Sequence, residues 1–326
     1  MSIIKRGICG TCLCEIDDKM TLTIRPKNGK NGFLCRDKVA GIWPWRPCCR
    51  IKRVVIEDGV KAGTDAGRMF AGMEDCTMFD VERLDVSAAE NMHGMFEGCS
   101  SMENVAGLKK WDVSNVTDMS YMFAGCASLN EISALAEWDV SRVSDMSGLF
   151  EYCCLLEDIS PLKKWDISNV TNTYGVFSGC RALTDVSPLF EWGISNALNA
   201  AGMLYGTGVS RDMFDAFIPM ACPKEGAFIG YKKCRGGRIV QLEVPEGAKR
   251  SSAYGRKCRC SRAKVLNVWT AGGGEAEYAV SVHDSGFVYW KGKTVEVSDF
   301  DDNRFNECSS GIHLFMTREE AENYIL

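Results

Sequence analysis

The feature that most constrains this chain is a spacing of 27 residues. Cys99, Cys126, Cys153 and Cys180 lie 27 apart, as do Trp111, Trp138, Trp165 and Trp192, and Phe96, Phe123, Phe150 and Phe177. One period shared by three independent columns marks a stack of similar units rather than a single globule. A copy this short buries too few apolar side chains to offset the entropy of ordering its own backbone, so each copy depends on its neighbours. The fullest copies run from Leu108 to Cys126 and from Leu162 to Asn172. A degenerate first copy keeps Leu84-Asp85-Val86-Ser87 and Met95-Phe96, and in the last one Gly193 and Ala200 replace Asp and Met, as expected of capping positions. Within a copy, the pattern predicts short strands near Val116–Met119 and Leu129–Ile132, with a tight turn at Tyr121–Gly125.

The fixed Cys and Trp columns read most simply as a buried stack, since free Cys is among the most buried residue types. A ladder of metal-binding thiols and an aromatic platform for sugars or bases are the sharper alternatives. Columns that vary inside the fixed frame are the candidate interaction surface: Lys110, Glu137, Lys164 and Glu191 in one, and Lys109, Lys163 and Phe190, with Ala136, in its neighbour.

The stretch Trp-Asp-Val-Ser-Asn-Val-Thr-Asp-Met-Ser-Tyr-Met-Phe-Ala-Gly-Cys, from Trp111 to Cys126, resembles the BspA-type leucine-rich repeat of bacterial surface proteins, mycoplasma lipoproteins and mobile elements. The resemblance covers about 140 residues. It implies a leucine-rich-repeat-like solenoid of about five repeats that binds other macromolecules. Surface relatives carry signal sequences. Here the first residues hold no apolar run of that kind, and no apolar stretch reaches membrane-spanning length, so the expectation is a cytoplasmic protein of a bacterial host, with no membrane partner.

Charge divides the chain into three expected domains. Residues 1–62 carry 13 Lys and Arg against 6 Asp and Glu, residues 63–208 carry 8 against 21, and residues 209–326 carry 17 against 16. The first block is a Cys-rich basic module in which Cys9, Cys12, Cys35 and Cys48 are candidate ligands for a structural zinc, the only cofactor the sequence suggests. Cys9-Gly-Thr-Cys12 supplies one thiol pair, whereas Cys35 and Cys48 are too far apart in sequence to form the usual second pair. Inert thiols are the alternative. The pair Trp43 and Trp45, beside Arg46, Arg50, Lys52 and Arg53, suits either nucleic acid or docking on the acidic repeats, and the tethered opposite charges favour docking.

The third block reads as a β-rich α+β domain. Strands are predicted at 227–234, 238–244, 263–269, 278–282, 287–290, 294–297 and 311–316, with glycine turns at Gly236-Gly237 and Gly272–Gly274 and a final helix from Thr317 with Glu320 completing a capping box. Residues 243–252, 256–259 and 305–315 resemble a small domain of unknown function found in phage and gut-bacterial proteins, which implies a phage or prophage setting. Lys232, Lys233, Arg235, Arg256, Lys257 and Arg259 form the candidate basic surface, since residues 224–264 carry 12 Lys and Arg against 3 acids.

No P-loop, Rossmann glycine fingerprint, nucleophile elbow or His-Glu-x-x-His motif is present, and His93, His283 and His313 are the only histidines. Gly311-Ile-His-Leu-Phe followed by Glu-Glu-Ala-Glu-Asn-Tyr324 is loosely similar to a segment lining the nicotinamide pocket of ADP-ribosyltransferases. The sequence therefore reads as mainly β: a solenoid flanked by a small N-terminal module and a β-rich C-terminal domain. The expected function is non-enzymatic protein binding, with a basic partner surface favoured, in a phage-associated protein acting on a host protein such as a defence system. An NAD-dependent transferase in the C-terminal domain, or nucleic-acid binding through the basic flanks, are the alternatives.

Overall fold

The chain begins as a hairpin, β1 (Ile3–Cys9) with β2 (Cys12–Asp17), closed by Gly10-Thr11. Gly10 sits at φ +59°, and a Cβ there would fall 2.1 Å from the Phe33 carbonyl oxygen, so only glycine fits. β3 (Thr21–Pro26) buries every second residue and pairs antiparallel with β2. After the short β4 (Gly32–Phe33), β5 (Arg53–Ile56) joins β3 in parallel; β6 (Val60–Lys61) pairs with β4, and β7 (Met78–Asp80) joins β5 in parallel. In this computed structural model, which describes residues 2–35, 43–45, 50–192, 202–217, 221–252, 257–303, 306 and 309–324, the fold is mainly β with few helices. The chain forms two compact units, 1–217 and 218–326. The sheet β1-β2-β3-β5-β7 runs through residue 62.

Beyond β7 the parallel pairing continues as single bridges: Asp65 with Asn91, Asn91 with Asp118, Asp118 with Asp145, Asp145 with Asn172, and Asn104 with Glu131. The strands expected at Val116–Met119 and Leu129–Ile132 thus shrink to one bridging residue each. The backbone hydrogen bonds explain why. Met92, Gly94, Phe96 and Gly98 donate to carbonyls of the next copy, at Asp118, Ser120, Met122 and Ala124, while Met95, Glu97 and Cys99 donate back to Met92, Gly94 and Phe96. Alternate amides therefore serve the neighbouring copy and the local turn. The expected turn at Tyr121–Gly125 is present, with both its ends left-handed; so are the pairs Gly94/Gly98, Gly148/Tyr152, Gly175/Gly179 and Gly202/Gly206, all at φ between +56° and +76°. Short 3-10 turns at Ala106–Leu108, Ser133–Leu135, Ser160–Lys164 and Ser187–Trp192 complete successive copies.

Inside, the fixed columns stack. Phe96, Phe123, Phe150 and Phe177 lie ring on ring at centroid spacings of 5.7, 5.5 and 5.7 Å, and Trp138, Trp165 and Trp192 follow at 6.5 and 6.3 Å. Each column also reaches back one copy: Cys126 Sγ donates to the Phe96 carbonyl at 3.2 Å and Trp165 Nε1 to the Leu135 carbonyl at 2.9 Å. Trp43 and Trp45, both buried, stack on each other and Trp45 stacks on Phe70, which begins the Phe column. The N-terminal tryptophans thus cap the apolar stack, and the reading of them as a nucleic-acid stacking platform falls, because their faces are interior. The other end of the first unit carries α1 (Arg211–Phe217), whose Phe217 ring stacks on Phe190 at 5.6 Å. Gly193 and Ala200 lie outside the described residues.

The second unit contains β8 (Phe228–Lys233), β9 (Ile239–Val244), β10 (Arg250–Ser252), β11 (Lys257–Cys260), β12 (Arg262–Trp269), β13 (Tyr278–Val280), β14 (Val288–Trp290), β15 (Thr294–Glu296) and β16 (Ile312–Phe315). Seven form an antiparallel sheet in the order β10-β11-β16-β8-β9-β12-β15, and β13 and β14 pair separately. All seven expected strands are present within a few residues of their predicted ends; β10 and β11 are additional. α2 (Arg318–Asn323) starts at the expected capping box, with Glu320 N donating to Thr317 Oγ1 and Thr317 N donating to Glu320 Oε2.

Candidate functional site

Lys109, Lys110, Glu137, Lys163, Lys164, Phe190 and Glu191 are all exposed, as the variable columns predict. They are not all free to meet a partner. Lys110 Nζ lies 3.6 Å from Glu82, Lys163 Nζ 3.3 Å from Glu191, and Phe190 packs on Phe217. The Cys and Trp columns are interior, which removes the thiol-ladder and aromatic-platform readings for them.

The sequence reading missed a second band. Tyr152, Tyr174 and Tyr205 are 55%, 46% and 55% exposed and fall in the segments that carry the inter-copy hydrogen bonds, next to half-buried Tyr121, Glu97 and Glu151. Two of these tyrosines hold left-handed backbone positions that glycine fills in other copies, and each ring lies over the glycine of the following copy. A Cβ on Gly148 would meet Tyr121 ring carbons at 2.5 Å, and one on Gly179 would meet Tyr152 Cδ1 at 2.5 Å. His93 joins the same band, with Nδ1 2.8 Å from Ser120 Oγ and its ring edge-on to Tyr121. Partial burial pushes the Glu151 carboxyl above the ordinary range. A single Tyr among glycines in each of two columns, Tyr121 with Gly94, Gly148, Gly175 and Gly202, and Tyr152 with Gly98, Gly125, Gly179 and Gly206, was the available signal.

Much of the acid in the repeats has a structural task. Asp85, Asp118, Asp145, Asp158, Asp166 and Asp185 each accept the backbone N–H two residues ahead, at 2.7 to 3.1 Å. These Asx turns bend the chain at fixed points in every copy. The carboxylates stay near the surface, where they contribute to the acidic field of the repeats.

Of the candidate zinc ligands, Cys9 and Cys12 face each other across the first hairpin, and Cys9 Sγ donates to the Cys35 carbonyl at 3.1 Å. Burial pushes Cys9 up to about 12 and Cys12 up to about 11, with neighbouring thiols adding to the rise. Cys48 lies outside the described residues. Among the described residues no group of three or more His, Cys, Asp or Glu side chains is placed to hold a metal.

The expected basic surface of the second unit is not one surface. Arg235 is exposed and donates to the Val282 carbonyl, and Lys233 Nζ donates to the Glu322 and Tyr324 carbonyls at the end of α2. Arg256 lies outside the described residues. Arg259 is buried, donating to the carbonyls of Asn303 and Ser310, and Lys232 is buried on the core side of β8 with Phe228 and Gly230. Strand alternation, blind to charge, sends Lys232 inward. Lys232, Lys257 and His313 line a cavity of about 690 Å³. His283 and Asp284 are exposed neighbours, and His313 Nε2 donates to the Ser309 carbonyl at 2.9 Å.

Comparison with known proteins divides along the same lines. Residues 64–185 and 132–214 match a Mycoplasma protein family of unknown function, DUF285, and residues 218–321 match a family of unknown function, DUF5758. These matches make the two regions similar to those families. No match was found among curated proteins. A solved leucine-rich repeat protein from Eubacterium ventriosum is 12% identical over 65% of this chain and 96% of its own, with a TM-score of 0.18, too loose a superposition to bear on the fold. No helix among the described residues is long and apolar enough to cross a membrane.

Proposed function

We propose that the chain is a non-enzymatic binding scaffold whose residues 63–208 form a leucine-rich-repeat-like solenoid that engages a basic protein partner. The supporting observation is the band of exposed Tyr152, Tyr174 and Tyr205 beside Glu151, presented by a frame whose interior is fixed. Tyrosine gives a large contact area at low entropic cost and receives cations on its face, while 21 acids against 8 bases over residues 63–208 steer a basic surface toward it. The variable lysines at 109, 110, 163 and 164 interrupt that field locally and would set register rather than affinity.

The test is a pull-down from bacterial lysate with the full chain, run beside a variant carrying Tyr152→Ser, Tyr205→Ser and Glu151→Gln. A partner retained by the wild type, released by salt and lost by the variant supports the proposal. Retention of the same partner by the variant, or an acidic partner insensitive to salt, refutes it.

A further inference from the structure

The second unit holds a cavity whose deepest charge is positive and whose outer charges are negative. Strands β8 and β16 share only the pair Tyr231 with Phe315 and then part. Lys232 Nζ reaches across the opening and donates to the His313 carbonyl at 3.2 Å, satisfying an acceptor that a continued ladder would have used. Its Nζ also lies over the Tyr289 ring, 5.9 Å from the centroid, and no second hydrogen-bond acceptor meets it among the described residues, although the residue is only 9% exposed. Lys257 stands nearby with its Nζ over the Tyr324 ring, 5.4 Å from the centroid, and neither lysine is ion-paired among the described residues. Burial and Lys257 hold the Lys232 ammonium below the usual lysine range. A buried, under-satisfied ammonium beside a second one is costly unless an anion completes it.

The acids that also line the cavity, Asp284, Glu296 and Asp299, are exposed, and two have local partners: Asp299 Oδ1 accepts from Ser310 Oγ and Asp284 Oδ1 from Gly286 N. Ser281 adds a hydroxyl, Ser309 Oγ is held by Asp301 at 2.6 Å, and Phe287 and Tyr324 give aromatic walls. The volume is that of a small-molecule site and far exceeds a bare anion.

We propose that this cavity binds a phosphate monoester with a ring-bearing organic part, of the size of a nucleoside monophosphate. The phosphoryl group sits on Lys232 and Lys257, where a dianion accepts from several donors at once, and the ring lies against Phe287. Free phosphate shares the anion chemistry but leaves the aromatic walls unused. This site is independent of the repeats, so its failure leaves the scaffold reading intact.

Calorimetric titration of the full chain with adenosine 5′-monophosphate, inorganic phosphate, adenosine and citrate tests it. The expected result is saturable binding of the nucleotide that weakens with salt, weaker binding of phosphate at the same site, and none of adenosine. Lys257→Met is expected to weaken nucleotide binding about tenfold, the loss of one charged hydrogen bond, and Lys232→Met to weaken it further. Lys291→Met, outside the cavity, is expected to change nothing. Should Lys232→Met fail to fold, Lys257→Met alone decides. The assignment is overturned if neither phosphate probe binds, if Lys257→Met binds like wild type, or if adenosine or citrate binds as tightly as the nucleotide.

Discussion

At the scale of single residues, the left-handed positions set the sharpest constraints. Gly148 and Gly175 occupy the same column at φ +60°, but a Cβ on Gly175 meets only Ser178 Cβ at 3.6 Å, whereas one on Gly148 would collide with the Tyr121 ring. Gly175→Ala is therefore expected to cost about 1–2 kcal/mol, the strain of a left-handed L-residue, and Gly148→Ala more. Adding Tyr121→Gly to Gly148→Ala should bring its cost back to that of Gly175→Ala; urea denaturation of the four proteins measures this, and equal costs for the two single variants would refute the ring contact. The buried thiols give a second expectation. Cys126, pushed up to about 12 by desolvation, should resist iodoacetamide at pH 8 in the native protein and label only as fast as the unfolding that exposes it, as followed by peptide mass spectrometry. Burial of the Cys, Trp and Phe columns was legible, because an invariant apolar residue at a fixed period has one economical place to go. The inward turn of Lys232 and Arg259 was not, since cations in a basic run ordinarily face water.

Elements stand or fall by how they stack. Phe123 has a ring neighbour on both sides, at 5.7 and 5.5 Å, so Phe123→Ala removes two stacking contacts and opens a cavity that neighbouring copies cannot close. The expected loss is about 3–5 kcal/mol by chemical denaturation. A loss under about 1 kcal/mol would mean that the column is not continuous. Strands in the second unit were legible wherever apolar and polar residues alternate, as in β9, and its closing helix from the Thr317 and Glu320 pair. β11, Lys257-Cys-Arg-Cys260, was expected as part of a basic surface and not as a strand, because the burial of its central Arg259 comes from contacts with segments distant in sequence. The strands expected in the repeats were overcalled for the converse reason: apolar spacing there reports burial of a turn, and the single bridges arise from hydrogen bonds to the next copy that no local pattern encodes.

For the whole molecule, the two units differ in how they respond to acid. In the first unit, Asp85 is held at about 2, chiefly by the hydrogen bond from Lys61 and then by Ser87. Its folded value lies below its unfolded one near 4, so the stability it contributes is present above about pH 4 and is lost as pH falls toward 2. In the second unit, burial holds His313 down at about 4, with Lys257, Lys232 and Arg259 opposing its protonation and the Ser309 carbonyl favouring it. Here the unfolded chain takes up the proton first, at about 6.5, and the folded one does not, so stability is full above that value and declines as pH falls to about 4. The shift corresponds to roughly 3 kcal/mol. Hydrogen exchange read peptide by peptide across the full chain should therefore show protection of residues 221–324 falling between pH 6.5 and 4, after correction for intrinsic rates, while that of residues 65–192 holds until below about 4. His313→Asn should flatten the first slope and leave the second. Parallel loss of protection in both units across the upper window, or an unchanged slope in the variant, would show that the acid response of the second unit is not set by this buried imidazole.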